Sequence, residues 1–317
     1  MRILVTGATG FIGSSLVPRL REKGHDVHEL VRYIAGGRYN YYDRENQTFA
    51  DMRDRDQVRG CVLLIKPEII INLAAQSGVS YSFLNSDDVI KTNTLGTVAL
   101  ADAAANLDNF KLFIHASTSE VYGTGVDFPT KEDARLGATS PYAVSKIAAE
   151  EYLRVAIQIH KLPVLIMRPF NTYGRATVKN RHFAVERAIT QALEKQHISL
   201  HDSRPYRDFV FRDDHMNAYI HAVDRWDKLV GETLNICTGN AWSIKEMAET
   251  VAHYTEGLLR KPVQVDFYER PDRPLDIPRL QGNNIKAREL LKWVPGYSFS
   301  TGIKKAVEEW AQVLNIK

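Results

Sequence analysis

The chain has 317 residues, and its content of 44% apolar and 25% charged residues is ordinary for a globular protein. Its net charge of +3 is too small, and its basic residues are too evenly mixed with acidic ones, to indicate nucleic-acid binding. The two cysteines, Cys61 and Cys237, show neither a metal-ligand spacing nor a disulfide framework, which favours reduced thiols in a cytosolic protein without a metal site.

The apolar runs are short throughout the chain. None approaches the roughly 18 residues that cross a bilayer. The first run, RILVTG, meets Gly7 too early for a signal peptide. We therefore expect a soluble cytoplasmic protein that neither enters a membrane nor binds nucleic acid.

In the first half of the chain, short apolar runs alternate with amphipathic stretches. The predicted strands are RILVTG, DVHELVR, EIIINLAA, KLFIHAST and PVLIMRPFN. The predicted helices are GSSLVPRLREKG, DVIKTNTLGTVALADAAANL and SPYAVSKIAAEEYLRVAIQIHK. Because these strands are apolar on both faces, they predict an α/β fold with a doubly wound parallel sheet covered on both sides by helices.

After Asn171 the rhythm becomes looser, and proline, arginine and aromatic residues become frequent. SIKEMAETVAHYTEGL is a predicted helix capped by Ser243, and STGIKKAVEEWAQVL is one capped by Ser300 or Thr301. ETLNICTG is a further predicted strand of the sheet. These patterns predict two domains: residues 1–170, rejoined by about 207–240, and a smaller C-terminal α/β domain of residues 171–206 and 241–317.

The segment VTGATGFIG follows the first strand and opens the first helix. Gly7, Gly10 and Gly13 permit a tight turn, close approach of the backbone to a pyrophosphate and close packing of helix on strand. The N-terminus of a helix also favours phosphate. This context predicts a dinucleotide site, although glycine turns can also merely connect a strand to a helix.

The end of the second strand bears on which dinucleotide binds. Val31 is followed by Arg32, which can form paired hydrogen bonds with a ribose 2′-phosphate, so we expect NADP rather than NAD. Glu29 lies deeper in the strand and is a weak candidate for a ribose hydroxyl. The alternative is that Arg32 is only a surface residue. Asp51 could accept a hydrogen bond from the adenine amino group or cap a helix.

Tyr142 and Lys146 lie four residues apart in PYAVSK, on one face of a predicted helix. A lysine ammonium near a phenol favours the phenolate, so we expect the pKa of Tyr142 to fall below its usual value of about 10. Tyrosine would then be a usable base near neutral pH.

Together these features resemble the extended short-chain dehydrogenase/reductase family, in the branch that modifies nucleotide sugars. The resemblance covers nearly the whole chain. It is carried by TGATGFIG, NLAAQS, KTNTLGT, ASTSEVYG, PYAVSK, RPFNTYG, RDFVFRDDH, RPDRP and NNIKARELLKWVP.

The resemblance implies roles for individual residues. Thr118 would hydrogen-bond the sugar hydroxyl, Tyr142 would be the base, and Lys146 would be its electrostatic partner. Asn93 would support the active-site helix. The cofactor set implied is Gly7, Thr9, Gly10, Phe11, Ile12, Gly13, Arg32, Asp51, Met52, Leu73, Ala74, Ala75, Asn93, Tyr142 and Lys146. The substrate set is Gln76, Asn171, Arg207 and Arg270, with the arginines on the diphosphate.

The resemblance also implies the first step, which is hydride transfer from sugar C4 to NADP⁺. The 4-keto sugar can then be epimerised, dehydrated or, from a uronic acid, decarboxylated. Glu120 follows Thr118 by two residues, so in an extended segment both would face the same side. Glu120 would then remove the C5 proton, with Ser119 near the leaving hydroxyl.

The triplet Thr118-Ser119-Glu120 looks like that of GDP-mannose 4,6-dehydratases, which makes this reaction the expectation. A 4-epimerase, a UDP-glucuronate decarboxylase and a 4-keto-6-deoxy sugar reductase remain open, as does, more remotely, a non-catalytic NADP-binding protein. The resemblance further suggests a homodimer, or a dimer of dimers, through the helices at residues 94–105 and 142–157.

Overall fold

The helices and strands of a computed structural model follow the predicted alternation of strand and helix. The structure describes residues 1–32, 46–175, 183–268 and 274–316. In chain order, the elements of the first half are β1 (Arg2–Thr6), α1 (Gly13–Glu22), β2 (Asp26–Val31), β3 (Gln47–Phe49), α2 (Arg55–Ile65), β4 (Ile69–Asn72), α3 (Val79–Leu84), α4 (Ser86–Ile90), a π-helical turn (Lys91–Leu95), α5 (Gly96–Ala104), β5 (Leu112–Ala116), a 3₁₀ turn (Ser119–Tyr122), α6 (Pro141–His160) and β6 (Val164–Pro169).

The second half contains shorter strands. Its elements are β7 (Asn171–Tyr173), α7 (Ala184–Lys195), β8 (His197–Leu200), β9 (Tyr206–Arg207), β10 (Phe209–Phe211), α8 (Arg212–Asp224), a 3₁₀ turn (Trp226–Lys228), β11 (Thr233–Ile236), β12 (Trp242–Ser243), α9 (Ile244–Leu259), β13 (Gln264–Phe267), β14 (Arg279–Leu280), α10 (Ile285–Leu291) and α11 (Phe299–Val313).

The described residues form two compact units. The first comprises Met1–Val121, Ser140–Arg168 and Tyr219–Leu234, and the second comprises Tyr122–Thr139, Pro169–Ala218 and Asn235–Lys317. The return to the first unit is therefore shorter than the predicted 207–240. The functions assigned to the two predicted domains stay predictions.

The first unit is built on a seven-stranded sheet with the order β11-β6-β5-β4-β1-β2-β3. Every pair from β3 to β6 is parallel. The strands are buried because they are apolar on both faces, and Leu4, Ile70 and Phe113 are fully inaccessible to solvent. The predicted doubly wound parallel sheet is confirmed.

Helix α6 carries Tyr142 and Lys146, and its ends have clear causes. The Ser140 hydroxyl accepts a hydrogen bond from the backbone N–H of Ala143 at 3.1 Å, and Pro141 occupies the first turn, where its missing N–H costs nothing. Lys161, with φ of +54°, ends the helix in the left-handed conformation. The predicted helix therefore has firm boundaries.

The predicted long helix after Leu84 is interrupted. Between α4 and α5 the backbone widens into the π-helical turn, which contains Asn93. Such turns are rare and are often found at functional sites.

The second unit packs α7, α9 and α11 around small sheets. β8 pairs with β13 in parallel, and Trp310 of α11 is fully buried in the core. Ser243 caps α9 in a capping box with Glu246, as the sequence indicates. The cap of α11 is Ser298, so the prediction of Ser300 or Thr301 was wrong by two or three residues. Ser298 is the last residue with extended backbone, and its hydroxyl accepts from the N–H of Thr301.

No helix in the described ranges combines the length and the apolar character needed to cross a membrane.

The cap of α2 provides a test of the fold. Asp54, not Asp51, caps this helix, because its carboxylate accepts from the N–H groups of Asp56 and Gln57 at 3.1 and 3.0 Å. We expect Asp54→Ala to lower the free energy of unfolding by about 1 kcal/mol. Asp54→Asn should change it by only a few tenths, since asparagine caps equally well. Urea unfolding measures both, and equal loss in the two variants would contradict the assignment.

Candidate active site

The loop between β1 and α1 leaves no room for side chains at two of its glycines. Gly7 has φ of +64°, and a Cβ atom there would lie 2.8 Å from the backbone nitrogen of Ala74. A Cβ atom at Gly13 would lie 2.4 Å from the carbonyl oxygen of Gly7. The loop is therefore packed against both the first turn of α1 and the segment after β4. Thr9 and Gly10 are exposed at its tip, and Phe11 and Ile12 are half-buried.

A row of polar side chains crosses the ends of three neighbouring strands below this loop. Thr6, Asn72 and His115 are aligned across β1, β4 and β5. The Thr6 hydroxyl donates to Asn72 Oδ1 at 2.7 Å and accepts from the N–H of Ala74 at 3.1 Å. The segment of Leu73, Ala74 and Ala75 is thereby fixed beside Gly7. Sequence reasoning misses this row, because its members look like isolated polar residues at strand ends.

Asn93 connects this segment to helix α6. Its Oδ1 accepts from the N–H of Gln76 at 2.8 Å, and its Nδ2 donates to the hydroxyl of Ser145 at 2.9 Å. Ser145 lies between Tyr142 and Lys146. The π-helical turn therefore fixes the active-site helix relative to the segment that follows β4.

Tyr142, Thr118 and Glu120 come together in the first unit. The hydroxyl of Thr118 hydrogen-bonds to Tyr142, and it also accepts from the N–H of Glu120 at 3.2 Å. All three side chains are buried, with 8%, 7% and 7% of their surface exposed. Ser119 is likewise buried. The region joins a hydroxyl, a phenol and a carboxylate at the end of β5.

The backbone here differs from the prediction. Residues Ser119–Tyr122 form a 3₁₀ turn, so Thr118 and Glu120 do not lie on one side of an extended segment. The turn nevertheless leaves Glu120 close enough for its charge to act on Tyr142. The curvature of the backbone, rather than the period of a strand, determines this arrangement.

The direction of the pKa shift of Tyr142 also differs from the prediction. Burial raises the pKa of Tyr142 above its usual value; the hydrogen bond from Thr118 opposes this rise and the charge of Glu120 adds to it. The Lys146 ammonium donates to the carbonyl oxygen of Ala116 at 2.6 Å. Burial lowers the pKa of Lys146 to about 8, while the carboxylate of Glu150 opposes this change. The expected fall in the pKa of Tyr142 was wrong for this structure, because desolvation of the buried phenol is the largest effect on its pKa and outweighs the hydrogen bond from Thr118.

The end of β2 offers a different cluster. Arg32 is exposed directly after β2. The carboxylate of Asp51 pairs with Arg53, whose guanidinium also bonds Asp88 at 3.0 Å. Hydrogen bonding from Arg53 is the main cause that lowers the pKa of Asp51, and the charge of Arg32 contributes. Glu29 is buried in an ion pair with Arg21 at 3.0 Å, so its carboxylate is already engaged.

Two further predicted cofactor and substrate residues lie near this cluster. Met52 is buried, and its backbone oxygen would lie 2.9 Å from a Cβ atom at Gly96. The carboxylate of Asp88 also accepts from Gln76 Nε2 at 2.8 Å, so this predicted substrate residue belongs to the same hydrogen-bonding network.

The remaining substrate candidates belong to the second unit, where we describe them by themselves. The buried Oδ1 atom of Asn171 has no hydrogen-bond partner among the described residues. Arg207 is buried and bonds Asp276 Oδ1 at 2.7 Å and the carbonyl oxygen of Ile277 at 2.8 Å. Arg270 lies outside the described residues. Their contacts with a diphosphate stay predictions.

No cluster of three or more His, Cys, Asp or Glu side chains within the described residues is arranged to hold a metal ion.

Comparison with known proteins identifies the protein family to which the chain is similar. Residues 4–306 match the family model described as GDP-mannose 4,6 dehydratase. The chain is 35% identical to a UDP-glucose 4-epimerase of Mycolicibacterium smegmatis, covering 97% of this chain and 98% of that one. It is 32% identical to a UDP-N-acetyl-alpha-D-glucosaminuronate decarboxylase of Bacillus cytotoxicus, covering 99% of each chain. It is 30% identical to a dTDP-glucose 4,6-dehydratase of Neisseria meningitidis, covering 99% and 96%.

Solved structures show the same fold. A UDP-glucose 4-epimerase of Thermotoga maritima, solved with UDP-glucose, has a TM-score of 0.88 and 29% identity, covering 99% of this chain and 100% of that one. The UDP-glucose 4-epimerase of Thermus thermophilus, solved with NAD, has a TM-score of 0.87 and 28% identity, covering 98% and 99%.

A match over nearly the whole length, together with this sheet and glycine loop, places the chain in a class of NAD-dependent enzymes that modify nucleotide sugars. The chain belongs to the NAD-dependent epimerase/dehydratase group of the extended short-chain dehydrogenase/reductase family. The family predicted from the sequence is thus confirmed, and the relatives have several different reactions.

The glycine loop provides a test of the site. We expect Gly13→Ala to lower the free energy of unfolding by about 1–3 kcal/mol, since a methyl group there overlaps the backbone of Gly7. It should also weaken dinucleotide binding in calorimetry. The control is Gly60→Ala in α2, where a Cβ atom meets nothing within 4 Å and stability should rise by about 0.5–1 kcal/mol. Wild-type stability and binding in Gly13→Ala would contradict the packing argument.

Proposed function

We propose that this protein is a 4,6-dehydratase of a nucleoside-diphosphate hexose, of the GDP-mannose type, and that it works with NADP. The observation that carries this proposal is the buried carboxylate of Glu120, which lies close enough to Tyr142 for its charge to raise the pKa of the phenol. Oxidation and reduction at C4 need no such group. A carboxylate beside the base supplies a group that can remove a second proton.

The dinucleotide would lie on the loop of Gly7, Gly10 and Gly13, where the missing side chains let a pyrophosphate approach the backbone. The other cofactor residues predicted from the sequence would complete the site around Ala74, Ala75 and Asn93. NADP⁺, when bound, supplies a hydride acceptor for sugar C4 and later a hydride donor for C6.

Tyr142 and Thr118 would act on the C4 hydroxyl. Tyr142 Oη takes the hydroxyl proton, and Thr118, which already hydrogen-bonds the phenol, holds the same hydroxyl in place. The Lys146 ammonium, fixed on the Ala116 carbonyl oxygen, stabilises the phenolate by its charge. The ketone at C4 then makes the C5 proton acidic.

Glu120 would remove that C5 proton, and the C6 hydroxyl would leave as water, with Ser119 hydrogen-bonded near the leaving oxygen. A hydride returned to C6 and a proton returned to C5 would then complete a reaction that is redox-neutral overall, and the two protons taken up by Tyr142 and Glu120 account for the water formed and for the new C5 proton. Gln76, Asn171, Arg207 and Arg270 would hold the nucleotide-sugar. The buried Oδ1 of Asn171, without a partner among the described residues, is an acceptor available for a ligand donor.

A 4-epimerase is the second candidate. The supporting observation is the 35% identity to a UDP-glucose 4-epimerase, together with the epimerases among the similar structures. An epimerase needs Thr118, Tyr142 and Lys146 but no carboxylate at position 120. The two candidates therefore differ in what Glu120 does.

We base the choice of NADP on Arg32, which directly follows β2 and has an exposed side chain. Several of the similar structures, among them the Thermus thermophilus epimerase, were solved with NAD, so NAD is the alternative dinucleotide against which this proposal is tested. We further propose a homodimer, since Leu95, Val144, Val155 and Ile159 present exposed apolar side chains on the π-helical turn and α6.

The reaction is tested by mass spectrometry after incubation with GDP-mannose, dTDP-glucose, UDP-glucose and UDP-glucuronate. We expect loss of one water from a hexose, and Glu120→Gln should lower that rate by about 100-fold or more while oxidation at C4 persists. Tyr142→Phe, as the control, should lose both steps. A product of unchanged mass and altered stereochemistry would establish the epimerase instead, and an unaffected Glu120→Gln would exclude Glu120 as the base.

The cofactor is tested by titration with NADP and with NAD. Arg32→Ala should weaken NADP binding by about 10- to 100-fold, which corresponds to a lost charge-assisted hydrogen bond of about 1.5–3 kcal/mol. NAD binding should change little. Arg59→Ala, an exposed arginine on α2, is the matched control. Equal weakening of both dinucleotides would refute the role of Arg32.

A further inference from the structure

Glu150 and Arg168 form a buried ion pair one turn of α6 away from Lys146. Glu150 has no exposed surface, and its carboxylate accepts from Arg168 Nε at 3.0 Å and from Arg168 Nη2 at 2.6 Å. It also accepts from Arg154 Nη2 at 2.8 Å and from the hydroxyl of Ser117. Two cations and a hydroxyl therefore share one carboxylate, an arrangement that compensates the cost of burying it.

This carboxylate joins three elements of the first unit. Glu150 lies on α6 one turn after Lys146, and Arg168 lies on β6. Ser117 lies at the end of β5, between Ala116, whose carbonyl oxygen receives the Lys146 ammonium, and Thr118. The backbone N–H of Ser117 also donates to the carbonyl oxygen of Met167 at 2.7 Å. Removing the carboxylate would therefore take away the side-chain contact of this segment with α6, while its backbone bond to β6 remains.

Other charged and titratable groups surround Lys146. On β5, the pKa of His115 is lowered well below its usual value by burial and then by Lys146, so this imidazole is neutral at physiological pH. Tyr142 shares α6 with Lys146, and Glu120 follows β5. Only Glu150 among these is a direct electrostatic cause that raises the pKa of Lys146.

The partners of Glu150 on neighbouring elements are also fixed. Burial opposes ionisation of Glu150, but the hydrogen bonds and charge of Arg168 outweigh it, so the pKa of the carboxyl is lowered and it stays ionised.

On α5, the charged group near α6 is Asp102, which bonds Tyr152 and pairs with Arg55. The carboxylate of Asp102 is therefore already paired with the guanidinium of Arg55.

We propose that Glu150 is a positioning residue: its carboxylate, held by Arg168, binds the Ser117 hydroxyl and so fixes the Ser117–Thr118 segment against α6, and it places a negative charge one helical turn from Lys146. The proposal rests on the proposed roles of Tyr142 and Lys146, but not on the dehydration step. It concerns hydride transfer at C4, which dehydratases and epimerases of this family share.

The test is the pH dependence of single-turnover reduction of NADP⁺ or NAD⁺, followed by nicotinamide absorbance with whichever of the four nucleotide sugars reacts. Glu150 raises the pKa of Lys146, so Glu150→Gln should lower it below about 8. The ammonium then loses its proton at lower pH, and the alkaline limb of the rate profile moves to lower pH. A shift of about one pH unit gives a roughly tenfold lower rate above the limb.

The matched control is Glu151→Gln. Glu151 is the next residue on α6, is 60% exposed and also pairs with Arg154, whereas Ser117 and Arg168 bond Glu150. Its rate and pH profile should equal those of the wild type. A folded Glu150→Gln protein with a wild-type rate and profile would overturn the proposal.

Glu150→Gln leaves Arg168 buried without its carboxylate and can fail to fold, so a second variant is needed. Ser117→Ala keeps both arginine contacts and removes only the contact with the strand end. We expect about tenfold slower hydride transfer, an unchanged alkaline limb and unchanged dinucleotide affinity. A wild-type rate in Ser117→Ala would overturn the positioning role.

The proposed function is checked in the same assay with Lys146→Met. If Lys146→Met retains the wild-type rate, the active-site assignment itself fails. If Lys146→Met is inactive while Glu150→Gln keeps the wild-type profile, only the role of Glu150 fails. The two failures are therefore distinguishable.

Discussion

Parallel pairing of β1, β4 and β5 is the constraint on which the site depends. Because parallel strands end at the same edge of a sheet, Thr6, Asn72 and His115 become neighbours although they are 43 or more residues apart in sequence. Their hydrogen bonds fix the backbone beside Gly7. The glycine loop and the segment after β4 are thus held together within the first unit, at the place where we propose that the dinucleotide binds.

Burial is the second factor that shapes the chemistry. The phenol of Tyr142 and the ammonium of Lys146 are both removed from water, which pushes their pKa values in opposite directions: that of Tyr142 up and that of Lys146 down. A spacing of four residues between Tyr142 and Lys146 on one helix does not therefore by itself lower the pKa of the phenol. Neighbouring groups, Thr118 for the phenol and Glu150 for the ammonium, determine how far each shift goes.

One scaffold hosts several reactions among proteins similar to this chain. Relatives are named as epimerases, dehydratases and decarboxylases, at similar levels of identity. Under the proposed mechanism, the residues for the shared oxidation at C4 are a hydroxyl just after β5 and a phenol and an ammonium on α6. The later steps would then depend on the side chains just beyond β5, and Glu120 is one of them in this chain.

The sheet, the glycine loop, the family and the residue types after β5 and in α6 could all be predicted from the amino-acid sequence, since these features depend on local patterns of a few residues. The sequence did not reveal the 3₁₀ turn at Glu120, the raised pKa of Tyr142 or the buried pair of Glu150 and Arg168. Those features depend on desolvation and on contacts between distant strands and helices, and only the tertiary structure brings such groups together and removes water from them.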